Sequence, residues 1–507
     1  MNGRPNILFA LADDAGMHFG AYGCPWVDTP AFDRVAREGV LFTQAYTCNS
    51  KCAPSRASII TGRNSWQLKD AENHQCHFPE EFRSVFEALA EHGYHTGHTA
   101  KGWGPGEPGT VDGRPRELTG PAYSELKWEP PAECINRTDY AANFLDFLED
   151  NPDDRPFCFW YGCTEPHRRY EWRAGIEKNG HRPEDVDHVY GIWPDNEIVR
   201  TDLLDYGFEI ENFDLHLGRM LDTLEQRGEL ENTLVVVSSD NGMPFPRAKG
   251  QEYFYSNHLP LAIMWGGEAR AAGIVNPGRT VSDMVSFIDF APTFLDVAGV
   301  PESESGMAPI TGRSLTDIFE AEGGGQVNPE RDHVLIGKER HDLGRPGDVG
   351  YPIRGIFRGD YLYVHNFEPD RWPAGNPETG YMNCDGSPTK SEIIRLRREG
   401  QTQYWEWSFG KRPEEELYNI ADDPDCITNL ADDAAHAELK AQLREEMERE
   451  LTEQGDPRMT GGAPLDENPA ADPQGLRRGF YERFMKGELE VARCITPTDV
   501  DPEAADD

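Results

Sequence analysis

Unbroken apolar runs alternate with amphipathic stretches through the first part of this chain. Asn6-Ile7-Leu8-Phe9-Ala10-Leu11-Ala12 stops at Asp13-Asp14. Leu234-Val235-Val236-Val237 stops at Ser238-Ser239-Asp240-Asn241-Gly242, and Phe157-Cys158-Phe159-Trp160-Tyr161 is a third run. Short runs that are apolar at every position suit strands buried on both faces, as in a parallel sheet. Between them, residues 209–227 carry apolar side chains at 210, 213, 217, 220, 221 and 224, the spacing of one helical face. Strands alternating with helices predict an α/β sandwich with a mostly parallel central sheet. Open sheets of this kind hold ligands beyond the carboxyl ends of their strands. The acidic endings therefore predict a polar site on one rim.

The pattern changes after residue 348. Residues 353–364 read as a β-hairpin turning at Gly359-Asp360, followed by a Pro/Gly-rich loop over 368–387 and a strand at 416–419. Leu439, Leu443, Met447 and Leu451 then share one helical stripe. This predicts a catalytic domain over 1–348, a smaller α+β subdomain with an antiparallel sheet over 349–455, and an acidic Gly/Pro-rich tail over 456–507. The tail is expected to wrap the surface or to stay partly disordered.

The formal net charge of −41 changes what the rim must look like. Such a field repels nucleic acid and anionic membranes, so neither is an expected partner. A site for an anion must then be a local positive island, and Arg56, Arg63, Lys101, His167, Arg168 and Lys249 are the cations available to build it. The start of the chain has no apolar segment of signal-peptide type. The expectation is a cytoplasmic protein if the sequence is complete, or a periplasmic or secreted one if a signal was removed. Ten cysteines in 507 residues form no CxxC pair and no zinc-ribbon spacing. They are expected to be mostly free and buried, with a Cys48–Cys76 pair left open.

Candidate chemistry centres on Cys52-Ala53-Pro54-Ser55-Arg56. Proline suits a first helical turn, and Ser55 is expected to help satisfy free amides there. Cys52 then sits at a helix mouth that favours anions, with Arg56 one turn on. Asp13, Asp14, Asp240 and Asn241 offer oxygen ligands only, which suits Ca²⁺ or Mg²⁺. His167, after Glu165-Pro166, is placed to act as a general acid at a strand end. Glu339, His341 and Arg354 flank the domain junction and, with Arg168, are candidates to grip a sugar; an interdomain salt-bridge set is the competing reading.

Cys-x-Pro-Ser-Arg followed by Thr61-Gly62-Arg63 resembles the type I sulfatase family of the alkaline-phosphatase-like superfamily. The resemblance implies oxidation of Cys52 to formylglycine by a formylglycine-generating enzyme or maturase, with the aldehyde hydrate attacking sulfur. It implies Ca²⁺, ahead of Mg²⁺, held by Asp13, Asp14, Asp240 and Asn241, with modified Cys52 supplying a further oxygen. Arg56 would hold the hydrate and offset charge. Lys101 matches the lysine of the family's Gly-Lys-x-His segment, but Trp103 stands where many members have histidine. Histidines 92, 95 and 98 lie just upstream. His167 matches the leaving-group histidine. Lys249 matches the cation that touches sulfate and leaving atom, with Arg247 as its competitor. Segments around Ala12–Gly16, Glu165–Arg168, Ser239–Pro246, Tyr351–Arg354 and Glu416–Tyr418 are similar to the sulfamidase branch of the family. They imply a sulfated saccharide as substrate, with the N-sulfate of glucosamine in heparan-type glycans as one candidate. An O-sulfatase on another polysaccharide, a phosphodiester or phosphonate hydrolase, and a non-catalytic glycan-binding protein are the alternatives. A homodimer stays open.

Overall fold

The structure is a computed structural model that describes residues 4–266 and 273–506. Its central sheet contains β1 (Asn6–Ala12), β2 (Val40–Phe42), β3 (His95–Ala100), β4 (Phe157–Gly162), β5 (Thr233–Ser239), β6 (Leu261–Trp265) and β7 (Arg279–Val281). They lie in the order β7-β2-β6-β5-β1-β4-β3. β1 pairs in parallel with both β4 and β5, and β3 pairs in parallel with β4. Only β6 runs against its neighbours, β5 and β2.

β1 shows why its run has no polar break. Leu8, Ala10 and Ala12 pack into the core on one face, with Phe213 and Leu217 of a long helix. Ile7, Phe9 and Leu11 pack on the other, with Ile59, Ile60 and Phe294. Each large side chain buried this way contributes about 1.5–3 kcal/mol. Helices on both faces and a mostly parallel sheet make an α/β sandwich, as the apolar pattern predicts.

Cys52–Thr61 forms α1, buried at every position and closed by Gly62 at φ 68°, whose N–H bonds the Ser58 carbonyl. Glu197–Gln226 forms α2, which starts well before the predicted residue 209. Buried Asp202 and Asp205 interrupt its apolar stripe, and this hid the first turns from the periodicity. Asn196 caps it by accepting from the amides of Ile198 and Val199.

The smaller sheet is antiparallel, ordered β8 (His333–Lys338), β9 (Ile353–Arg358), β10 (Tyr361–Asn366) and β11 (Glu415–Asn419). The Gly359-Asp360 hairpin is present, with Arg358 opposite Tyr361 and Gly359 at φ 55°. β8 precedes the expected boundary at 349, because it pairs with β9 along its whole length. Between β10 and β11, Pro388–Arg398 forms α3. The stripe of Leu443, Met447 and Leu451 lies on α4 (Ala437–Glu453), packed against this sheet. The tail wraps the surface and sends carboxylates inward. Asp456 pairs with Arg354, Asp466 with Arg371 and Arg458, and Asp501 with Arg398. All ten cysteines are free, Cys48 and Cys76 being separate buried thiols. Among the described residues no helix is long and apolar enough to cross a membrane.

Candidate active site

Four parallel strands deliver the site to one rim. Ala12 ends β1 opposite Ser239 of β5, so Asp13-Asp14 and Asp240-Asn241 leave adjacent strands at one level. Ala100 of β3 lies opposite Gly162 of β4, which brings Lys101 beside the segment leading to His167. α1 enters this rim with Cys52 as its first residue. Ser55 does not cap the helix as expected; its hydroxyl donates to the Asp240 carbonyl at 2.5 Å and so ties α1 to the end of β5.

Asp13, Asp14, Cys52, Asp240 and Asn241 are all buried. Cys52 Sγ lies 3.6 Å from Asp13 Oδ1 and 3.9 Å from Asp14 Oδ1. Ligand atoms of Asp13, Cys52 and Asp240 fall within 4.8 Å of one another, as do those of Asp14, Cys52 and His167. Asn241 Nδ2 donates to Asp14 Oδ1 at 2.7 Å, leaving Asn241 Oδ1 buried without a partner. An orphaned amide oxygen beside three carboxylates is the donor set of a hard divalent cation, and the residues fit Ca²⁺. Asp14 adopts φ 74°, a left-handed conformation that costs a non-glycine residue about 1 kcal/mol or more and that gathers at functional sites.

Three cations face these acids. Lys101 Nζ reaches Asp13 at 2.5 Å, and Lys249 Nζ reaches Asp14 at 2.6 Å. Arg56 donates from Nε to Asp240 at 2.8 Å and from Nη2 to Asp13 at 3.3 Å. Its Nη1 is taken by the carbonyls of Lys101 and Gly102. Burial opposes the ionised form of Asp13, yet Lys101 and Arg56 outweigh it and hold the carboxyl below its usual range. Burial likewise works against the charges on Lys101 and Lys249, and the facing aspartates reverse it and hold both ammonium groups charged. Burial pushes the Cys52 thiol up. His167 Nδ1 is 2.7 Å from the Arg168 carbonyl, and Nε2 is 3.8 Å from Asp14.

Sequence reasoning missed two acids at this rim. Asp385 lies 2.9 Å from Lys249 Nζ, and Asp342 pairs with Lys51 at 2.7 Å and with His74 at 2.9 Å. Both come from loops with no periodicity, so nothing in the sequence pointed to them.

The sulfatase family profile matches residues 5–300, which contain Cys52 and the two aspartates its sulfur contacts. The chain belongs to the sulfatase family. This sulfatase is 28% identical to the N-sulphoglucosamine sulphohydrolase of Homo sapiens, over 90% of this chain and 91% of that one. It is 26% identical to an ulvan-active sulfatase of Formosa agariphila, over 89% of this chain and 76% of the other. Its fold matches that of a protein solved in complex with its substrate D-glucosamine-2-N,6-O-disulfate, with a TM-score of 0.63 and 20% identity, covering 92% of this chain and 100% of that chain. The sulfatase is a hydrolase acting on sulfate esters or sulfamate.

Several predicted residues stand elsewhere in the sulfatase. The Arg168 guanidinium is already engaged: it grips Asp202 at 2.7 and 2.9 Å and lies over the rings of Tyr170 and Phe245. Arg354 is fully buried among Asp456, Glu339 and Glu72, and Glu339 also holds Arg458. The domain-junction cluster is therefore an ion-pair set that anchors the tail, and the sugar-gripping reading of Glu339 and Arg354 is corrected. His341 is buried between Asn49 and the Gly250 carbonyl, where desolvation pushes its pKa well below the usual value. Arg63 lies past the far end of α1, bound to the Pro309 carbonyl, and takes no part in the positive island. Arg247 bonds the carbonyls of Trp407 and Cys426, which leaves Lys249 as the cation on the metal-ligand side. Trp103 packs edge-on against Phe78 and supplies no base. His92 and His98 bond backbone carbonyls, and His95 stacks on Phe147. A second acid–histidine group, His333 with Glu446 and Glu450, is spent on ion pairs with one another and with Arg358.

Proposed function

We propose that this sulfatase acts through formylglycine at position 52 and Ca²⁺, and that it removes sulfate from a saccharide, the N-sulfate of glucosamine first. The observation that carries the reading is the position of Cys52 Sγ, in contact with both Asp13 and Asp14 between Lys101 and Lys249. The similarity to an N-sulphoglucosamine sulphohydrolase over nine tenths of both chains supports the choice of sugar.

Asp13, Asp14, Asp240 and Asn241 would hold the cation, which supplies charge neutralisation at sulfate oxygens and eases ionisation of a hydroxyl at position 52. Lys101 and Lys249 remain charged at neutral pH, and each is bound to one of the two aspartates that touch Cys52, which suits them to hold a sulfate group there. Fixed charges in a largely buried site act on developing negative charge without reorganising. Arg56 spends four of its five N–H donors on Asp240, Asp13 and the Lys101 and Gly102 carbonyls, so it positions the two aspartates and keeps one Nη2–H for the hydrate. His167 donates Nδ1–H to the Arg168 carbonyl, so Nε2 is the ring nitrogen left to hand on a proton. That proton goes to the departing nitrogen or oxygen as the bond to sulfur breaks.

The test is the rate of sulfate release from N-sulfoglucosamine, a 6-O-sulfated N-acetylglucosamine and an aryl sulfate, beside hydrolysis of a phosphodiester. The expected result is the highest kcat/KM on N-sulfoglucosamine. Turnover of the phosphodiester with no sulfate released from any sugar overturns the reading.

A further inference from the structure

A cavity of about 400 Å³ lies against the active site, a size typical of small-ligand pockets. Four pieces of chain wall it: the segment 168–172, Asp202 and Asp205 of α2, residues 386–391 at the start of α3, and the tail at 494–497. Its walls begin one residue beyond His167 and one residue beyond Asp385, and consecutive Cα atoms are about 3.8 Å apart. The tail is fastened there, with the Gly386 amide donating to the Cys494 carbonyl at 2.7 Å.

The side chains in this cavity have a clear chemistry. Trp172 is 46% exposed, and among the described residues it is the one aromatic in the group of large exposed apolar side chains. Arg169 is exposed and fixed by a bond from Nη2 to the Arg493 carbonyl. A guanidinium carries five N–H donors, so most remain for a ligand. The two acids in the wall are already engaged. Asp202 is paired with Arg168 and accepts from Thr389. Asp205 accepts from the amides of Arg173 and Gly175. A flat amphipathic ring beside a fixed guanidinium suits a sugar ring bearing an anionic group.

We infer that this cavity is a second saccharide subsite, taking an acidic ring that neighbours the one losing sulfate, with Trp172 under the ring and Arg169 on its carboxylate or sulfate. The inference rests on the saccharide reading above and makes the substrate an oligosaccharide.

Calorimetry on the full chain tests it with three tetrasaccharides: one with uronates and no sulfate, one with O-sulfates and no uronate, and one neutral. At least one acidic tetrasaccharide is expected to bind about tenfold or more tighter than the neutral one. Which of the two does so distinguishes carboxylate from sulfate. Trp172→Ala and Arg169→Gln are each expected to remove that advantage, while Leu215→Ala, an exposed site on α2, keeps it. Equal affinity for the neutral tetrasaccharide, or full affinity in both cavity variants, overturns the subsite. Binding is read without turnover. Failure of the sulfate-release assay on every sugar would therefore count against the proposed function alone, and loss of acidic-ligand affinity in the two variants would still stand.

Discussion

Arg56 Nε donates to Asp240 Oδ2 at 2.8 Å, with both side chains sealed from water. The same guanidinium spans to Asp13 on the neighbouring strand. One residue on α1 thus fixes the spacing of two carboxylates that lie 227 positions apart in the chain. A planar fork makes this bridge where a single ammonium cannot.

Arg56→Lys keeps the charge and loses the fork. Its Ca²⁺ affinity by calorimetry is expected to fall about 10–100-fold, the usual cost of disturbing the partners of metal ligands. Parent-like affinity in this variant would show that the two aspartates are positioned without Arg56.

Lys101 and Lys249 each sit on a different aspartate and face Cys52. Lys101→Gln and Lys249→Gln are expected to lower kcat/KM by about 10²–10³ each, comparable to losing a preorganised donor. An unchanged kcat/KM in either variant removes that lysine from the chemistry.

Arg354 and Arg168 are expected to act on stability. Arg354→Met takes the guanidinium from Asp456, Glu339 and Glu72, and Arg168→Met takes it from Asp202, all buried. Breaking buried pairs in this way costs about 3–5 kcal/mol. Urea denaturation should show that loss, while kcat/KM of the folded protein on an aryl sulfate holds. A preserved midpoint with a raised KM would put these arginines back in contact with substrate.

His333 gives a pH signature. Burial lowers its pKa, but the bonds to Glu450 and Asp332 outweigh burial and raise it above 6.5. A raised folded-state pKa means the contribution is complete below the unfolded value and fades as pH rises through the folded one. The parent is therefore expected to exceed His333→Gln in stability by about 1 kcal/mol at acid pH and by less at pH 9, since the group is partly exposed. A gap that widens with pH contradicts the assignment.

Much of this site was legible because it follows strand ends. Runs buried on both faces announce themselves as unbroken apolar stretches, and the residues that end them carry the chemistry. Asp13, Asp240 and His167 were found in this way, and Cys52 by its helix start. Asp385 and Asp342 were not, because they reach the rim from irregular loops and their partners, Lys249 and Lys51, are far away in sequence. Arg354 and Glu339 misled for a related reason. Charged residues at a domain junction look alike whether they face a cleft or seal an interface, and only their complete burial decides.

The central claim is that position 52 is converted to an aldehyde within a divalent-cation site. The direct measurement is the mass of the proteolytic peptide carrying Cys52, taken from protein made together with a formylglycine-generating enzyme. The active preparation is expected to carry the aldehyde mass, with sulfate release rising with the converted fraction. A fully active preparation in which that peptide still carries an unmodified thiol would contradict it.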